Sequence, residues 1–340
     1  MNLRLLPGPR FLQRILLACS VGLSASAGAQ GSATPAPAAA PSGGPMKLVI
    51  AFPPGGALDS LARALAQQVS ASTGEAVIVE NRPGASTRIA IDAVRTAPPD
   101  GKTVLLAASA PFVIFPMTYR KLSYDVDRDF VPVAHLVDVP TVVSTGPGRP
   151  YQDMRQYLAW VRANPSQGSV GMTNLGGALH FAVLALAKSS GVPLTPVAYK
   201  GGAPLATDLV GGHIPLATDA LASQIELHKA GKLRILGVSG TRRNRALPDV
   251  PTIRESGIDA FDHANASYSA YLPAGTPRPV VERIERTLIE AVKAPRVQEQ
   301  LARIGLDVTG LPGAEVQRRL QAERAFWKPV VEASGFRNED

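Results

Sequence analysis

The residue types that do covalent or metal chemistry are present in this sequence, but none stands at a spacing that chemistry uses. There is no G-x-S-x-G nucleophile elbow and no H-E-x-x-H. The five histidines (His135, His180, His213, His228 and His263) form no i, i+4 metal pair, and the single cysteine is Cys19. No catalytic residue, metal site or cofactor is therefore expected. What the chain does offer is "FPPGG", Phe52 to Gly56, where an apolar run turns at once into an amphipathic helix pattern. Pro53 and Pro54 stiffen the exit, and Gly55 and Gly56 lack the Cβ that keeps a ligand off the backbone. The first N–H groups of a helix have no intrahelical partner and carry partial positive charge, so such a loop suits a small anion, most simply a carboxylate. The same residues also make an ordinary Gly/Pro turn. Neither G-x-G-x-x-G nor the Walker phosphate loop is present, which counts against a nucleotide.

Such a loop needs a strand before it and a helix after it. Short aliphatic runs ("KLVIAF", "AVIVE", "TVLLAA", "TVVST", "GSVGM", "LTPVAY", "IPLAT", "LRILGVS") suit strands buried on both faces. Helical patterns alternate with them. Leu58, Leu61, Ala62, Leu65, Ala66 and Val69 keep one buried face, Val183, Leu184 and Ala187 mark a second helix, and Leu221, Ile225 and Leu227 mark a third. This alternation predicts an α/β fold with largely parallel sheets, and the chain from Pro277 onward reads as mostly helical.

Ahead of the fold, Arg4, Arg10 and Arg14 precede or open an apolar run, and "AGA" ends at Ala29. Residues 1–29 read as a cleaved export signal, too short to span a membrane. "LLAC" offers a rival lipoprotein box at Cys19, although very few apolar residues separate it from Arg14. Residues 30–45, rich in Pro, Ala, Gly and Ser, read as a disordered linker. The net charge of +8 is spread along the chain. Its one basic cluster, Arg242, Arg243 and Arg245, has no interleaved aromatics and reads as a solvated loop, so no nucleic-acid partner is expected.

Eight segments, in order, resemble the Bug family, the extracytoplasmic solute-binding proteins of tripartite tricarboxylate transporters. They are "FPPGGALDSLAR", "VENRPGAS", "APPDGKTVLLAAS", "YDVDRDFVPVAHL", "TNLGGALHFAVLAL", "VAYKGGAPLATDLVGGHIPLATD", "LPDVPTIRESGI" and "YLPAGTP". The resemblance implies a two-lobed periplasmic binding protein fold, type II-like, with lobes joined by crossing strands. Lobe 1 would comprise residues 46–142 and 268–340, and lobe 2 residues 143–267. Hinges are expected near 141–150 and 258–272. A monomer would capture a small carboxylate or amino-acid ligand between the lobes and deliver it to a membrane permease. A periplasmic sensor without transport would share the same cleft, and a carboxylate-handling enzyme is the remaining alternative.

By the same resemblance, ligand contacts are expected from Phe52, Pro54, Gly55, Gly56 and Asp59 in the first loop. Asn81, Arg82 and Gly84 follow in the second, then Ser109. Lobe 2 would add Thr173, Asn174 and His180, then Tyr199, Lys200 and Gly201, and finally Asp219 as an acceptor for an amine or hydroxyl. Several have plainer roles open to them: Arg82 in a surface ion pair, His180 as a packed or capping residue, Asp59 as an acid favoured in a first helical turn. The chain departs from the family where Ala57 and Leu58 replace a usual proline and threonine, and where Ser86 and Thr87 replace a usual glycine pair. An aromatic expected ahead of "PAGTP" is also displaced, with Ser267 near its place and Tyr268 beside it.

Overall fold

The computed structural model describes residues 44–173 and 175–338. The expected signal, Cys19, most of the linker and Asn174 lie outside the described residues.

The chain opens with β1 (Met46–Ile50), α1 (Ala57–Thr73), β2 (Val77–Asn81), α2 (Arg88–Arg95) and β3 (Thr103–Ala108). Three short helices, α3 (Ala110–Val113), α4 (Phe115–Thr118) and α5 (Val126–Asp129), lead into β4 (Phe130–Val139). Next come β5 (Thr141–Thr145), α6 (Met154–Ala163), β6 (Ser169–Met172), α7 (Ala178–Ser190) and β7 (Thr195–Ala198). These are followed by α8 (Gly202–Val210), β8 (Leu216–Ala220), α9 (Leu221–Lys229) and β9 (Arg234–Val238). The chain returns through β10 (Ala266–Pro273), α10 (Arg278–Lys293), α11 (Pro295–Arg303), β11 (Asp307–Pro312) and α12 (Gly313–Ser334).

Two sheets result. The first has the order β11-β4-β10-β3-β1-β2 and the second β7-β6-β8-β5-β9. All eight apolar runs read as strands are strands. The sheets are mixed rather than largely parallel: β4, β10 and β11 pair antiparallel in the first, and β5 pairs antiparallel with both its neighbours in the second. The long return connections place these strands against the parallel βαβ units, and their own sequences alternate too weakly to announce it. β11 also interrupts the helical C-terminal region.

The first crossing between sheets is a single residue. β4 ends at Val139 and β5 starts at Thr141, so Pro140, which has no N–H to give either ladder, marks the switch. The return runs through 239–265. Within the stretch expected to hold one hinge, 141–150, residues 141–145 form a ladder strand of the second sheet. Both crossings are tied together. The Thr141 N–H donates to Ser239 Oγ (2.8 Å) and Asn265 Oδ1 (3.1 Å), and Thr141 Oγ1 donates to the Ala264 carbonyl (3.1 Å).

The apolar stripe of α1 (Leu58, Leu61, Ala62, Leu65, Ala66 and Val69) is buried, together with Ala64 and Asp59, and the helix stops at Gly74 in the left-handed conformation (φ 73°). A second apolar cluster runs from the first sheet to the second through α12. In it Phe112 stacks on Tyr271 (centroids 4.1 Å apart, 3° between planes), while Trp327 and Phe336 approach Phe181 of α7 (6.4 and 5.9 Å). The C-terminal helix thus joins both sheets, which the crossing strands alone do not account for. Among the described residues, no helix is long and apolar enough to cross a membrane.

Phe112 also meets Phe130 edge-on at 5.6 Å. Phe112→Ala should therefore lower the unfolding free energy by about 3–5 kcal/mol in urea titration. Arg303→Ala, which breaks an exposed ion pair with Glu299, should change it by less than about 1 kcal/mol.

Candidate functional site

A cavity of about 490 Å³ lies where strand ends of the two sheets face each other, within the range of small-ligand sites. Thr141 and Ala264, the residues of the crossing, form part of its wall. Phe52, Ser86, Thr87 and Ser109 line it from loops of the first sheet, and Thr173, Gly176, Gly177 and Asp219 from the second. A smaller recess of about 320 Å³ lies between Gly146–Arg149 and His228–Arg234. It sits at the far end of β5 from the crossing and gathers no residue from the first sheet, so the larger cavity is the better candidate.

Of the expected contacts, Phe52, Ser109, Thr173 and Asp219 reach the cavity. Thr173 Oγ1 donates to Asp219 Oδ1 at 2.9 Å, and burial raises the Asp219 carboxyl above its usual range. His180 does not line the cavity. Its Nδ1 accepts the Gly176 N–H (3.3 Å), its ring meets Phe336 edge-on at 5.2 Å, and burial lowers its pKa. It packs beside the start of α7 and holds the Gly176 N–H of the turn that leads into it.

The first loop supports the cavity from behind. Pro54, Gly55 and Gly56 are exposed and stand outside the lining. The Gly55 N–H already has an anion, because it donates to Asp59 Oδ2 at 3.0 Å. Asp59 is buried and also accepts from Arg63 Nε (2.8 Å) and Asn81 Nδ2 (2.9 Å), with Arg63 foremost in holding its pKa down at about 2. Asn81 Nδ2 donates in turn to the Phe52 carbonyl (3.0 Å). Asp59 and Asn81 therefore position Phe52 and have their polar atoms engaged. Arg82 turns to Glu80 (2.6 Å), the surface pair left open above.

The remaining expected residues stay outside the lining. Gly84 takes φ 126° beside the Ile89 side chain. Tyr199 donates its hydroxyl to Asp208 Oδ2 at 2.8 Å, and Lys200 and Gly201 are exposed ahead of α8.

Of the helix starts that border the cavity, that of α7 brings the most residues to it. Gly176, Gly177, Ala178 and Leu179 all line it, and no side chain caps this 13-residue helix. Among the described residues nothing accepts the Ala178 or Leu179 N–H. These groups present oriented donors and the positive end of the helix dipole to whatever fills the space. Across from them, Ala85, Ser86 and Thr87 hold positive φ (44°, 50° and 76°) in succession before α2. These are left-handed conformations without glycine, a costly geometry that recurs at functional sites. The Thr87 hydroxyl is also buried without a hydrogen-bond partner.

Sequence reasoning passed over Glu323, Trp327 and His263, which also line the cavity. A signal for Glu323 existed. Val316, Leu320 and Trp327 are buried at helical spacing on α12, and Glu323 interrupts that stripe. Among the described residues, no group of three His, Cys, Asp or Glu side chains is placed to hold a metal.

Residues 61–336 match the family described as the tripartite tricarboxylate transporter family receptor. A curated relative, the UPF0065 protein of the tcbD–tcbE intergenic region of Pseudomonas sp. strain P51, is 35% identical over 84% of this chain and 85% of its own. The solved structure of periplasmic binding protein BugD is 29% identical with a TM-score of 0.70, covering 87% of this chain and 99% of that one. A Rhodopseudomonas palustris protein solved with adipate is 30% identical with a TM-score of 0.73, covering 86% and 97%.

Thr87→Gly removes a left-handed non-glycine residue and an unpartnered buried hydroxyl together. It should stabilise the ligand-free protein by about 1–2 kcal/mol in urea unfolding, after the entropic cost of glycine. A loss of stability would show that Thr87 makes a compensating interaction.

Proposed function

The chain belongs to the tripartite tricarboxylate transporter receptor family, and on that premise we propose that it is a periplasmic solute-binding protein that captures a small carboxylate in the cavity between its two sheets. The observation that carries this reading is the uncapped start of α7 facing that cavity. A carboxylate accepting the Ala178 and Leu179 N–H groups would gain charge-assisted hydrogen bonds from donors already held in place. Ser109 and Thr87 bring hydroxyls to the same cavity from the first sheet. The solved relative with adipate supports the ligand class.

Capture proceeds by closure. The lobes, expected as residues 46–142 with 268–340 and residues 143–267, divide by sheet a little earlier, at Pro140 and within the return segment 239–265, and rock about those two places. A ligand touching both walls favours the closed state by the contacts made only there. Phe52 and Leu175 are large apolar side chains left exposed on opposite walls, and they are the natural pair to close over it. The protein changes no bond in its ligand and needs no cofactor. It acts as a monomer after removal of its signal and passes the ligand to a membrane permease.

Ala178 is the first helical residue of α7, and Gly177 before it is extended (φ −101°, ψ −178°). Proline is tolerated at that position and its predecessor already has the backbone proline requires. Ala178→Pro therefore deletes one N–H while leaving the helix intact. Calorimetric titration with C4–C6 carboxylates should show affinity falling about 10- to 100-fold, the worth of one hydrogen bond to a charge. Unchanged affinity with unchanged folding would remove α7 from the ligand site.

A further inference from the structure

The charge pattern of the cavity does not suit a ligand that is only a polycarboxylate. No lysine or arginine lines it among the described residues, whereas the carboxyl groups of Asp219 and Glu323 do. Asp219 accepts from Thr173 through Oδ1, while its Oδ2 is buried beside Gly202 with no hydrogen-bond partner among the described residues. Glu323 borders the same cavity, and neither of its carboxylate oxygens accepts a hydrogen bond from a described side chain or N–H.

The charged groups around Glu323 are committed elsewhere or repel it. On β4, Asp138 repels it while accepting from Arg319 and pairing with His135. Arg319, one turn earlier on α12, is the one attractive charge, and it divides its guanidinium between Asp138 and Glu315. Arg324 turns Nε to the Phe112 carbonyl and Nη1 to Asp127, while its Nη2 is buried with no hydrogen-bond partner among the described residues. Tyr271 of β10 packs nearby as a neutral phenol, its pKa raised by burial. His263, on the cavity wall against Phe326 (4.5 Å), has its pKa lowered by burial and supplies no positive charge. Burial first, and then Asp138, push Glu323 up to about 8. Trp327, one turn further along α12, and Tyr268 of β10 bring aromatic rings to the same cavity, surfaces that attract cations.

Resting on the reading that the cavity holds a small carboxylate, we infer that its ligand also carries an amine, and that Glu323 selects for that amine. The ammonium group donates to the Glu323 carboxylate while the ligand carboxylate lies at α7. Below pH 8 the Glu323 proton must leave as the ammonium arrives, so binding releases a proton. Affinity then rises with pH and levels off above about 8. A dicarboxylate would do the opposite. It would accept a hydrogen bond from protonated Glu323, release no proton, and weaken as the pH passes 8.

Calorimetric titrations with matched pairs test this: 4-aminobutyrate against succinate, and 6-aminohexanoate against adipate. Each is run at pH 6.5 and 8.5 in buffers of differing ionisation enthalpy. The amine-bearing member of at least one pair should bind about tenfold or more tighter at pH 8.5. It should release close to one proton at pH 6.5 and tighten by on the order of tenfold between the two pH values. Glu323→Gln should abolish both the preference and the pH dependence. Preference of the unmodified protein for the dicarboxylate in both pairs would overturn the inference without the help of any variant, and so would an unchanged ratio in Glu323→Gln. If no member of either pair binds, the carboxylate reading itself fails, and this inference with it.

Discussion

The N–H of Thr141 is held by Ser239 and Asn265, so the two chain crossings between sheets are fastened to one another at a single place. Much else depends on that knot. Pro140 forces β4 and β5 into different ladders, and the knot prevents the second crossing from drifting away from the first. Strand ends of two independent sheets are thereby brought face to face, with Thr141 and Ala264 as part of the wall between them. A pivot built from a few short hydrogen bonds can absorb rotation while the sheets remain rigid, and this is the geometry hinge closure requires. The third connection, α12, packs along the first sheet and reaches α7 through Trp327 and Phe336. The closure proposed above would have to accommodate an apolar contact that is continuous across both halves.

The cavity handles charge through the backbone. With no lysine or arginine in its lining among the described residues, a carboxylate bound there would be received chiefly by oriented N–H groups, which lose little entropy on binding because the helix already fixes them. The first loop illustrates how the same physics can be spent internally. There the Asp59 carboxylate takes the Gly55 N–H and, through Asn81, fixes the Phe52 backbone. Among the described residues the start of α7 has no such internal acceptor, and His180 beside it takes only the Gly176 N–H.

Much of this architecture was legible in the residues. Runs such as "TVLLAA" and "LRILGVS" are buried on both faces and became strands, and the stripe from Leu58 to Val69 became the buried face of α1. The antiparallel strands were harder to read, because β4 carries His135 and Asp138 and β10 carries Ser267 and Ser269, polar residues that break the apolar run. The candidate site was legible as a type of place, a strand end turning into a helix. Which helix start faces the cavity was not, since that depends on how one sheet sits against the other. Gly55–Gly56 and Gly176–Gly177 look alike as sequence, yet only the second pair lines the cavity. Glu323 was legible only as an acid on an apolar stripe, and its meaning came from what the fold packs around it.

A crystal structure of the protein with its tightest-binding carboxylate is the most direct measurement of the central claim. The account predicts carboxylate oxygens about 2.7–3.1 Å from the backbone nitrogens of Ala178 and Leu179, with residues of both sheets touching the ligand. A ligand carboxylate held on the Gly55–Gly56 loop, or a ligand touching one sheet alone, would contradict it.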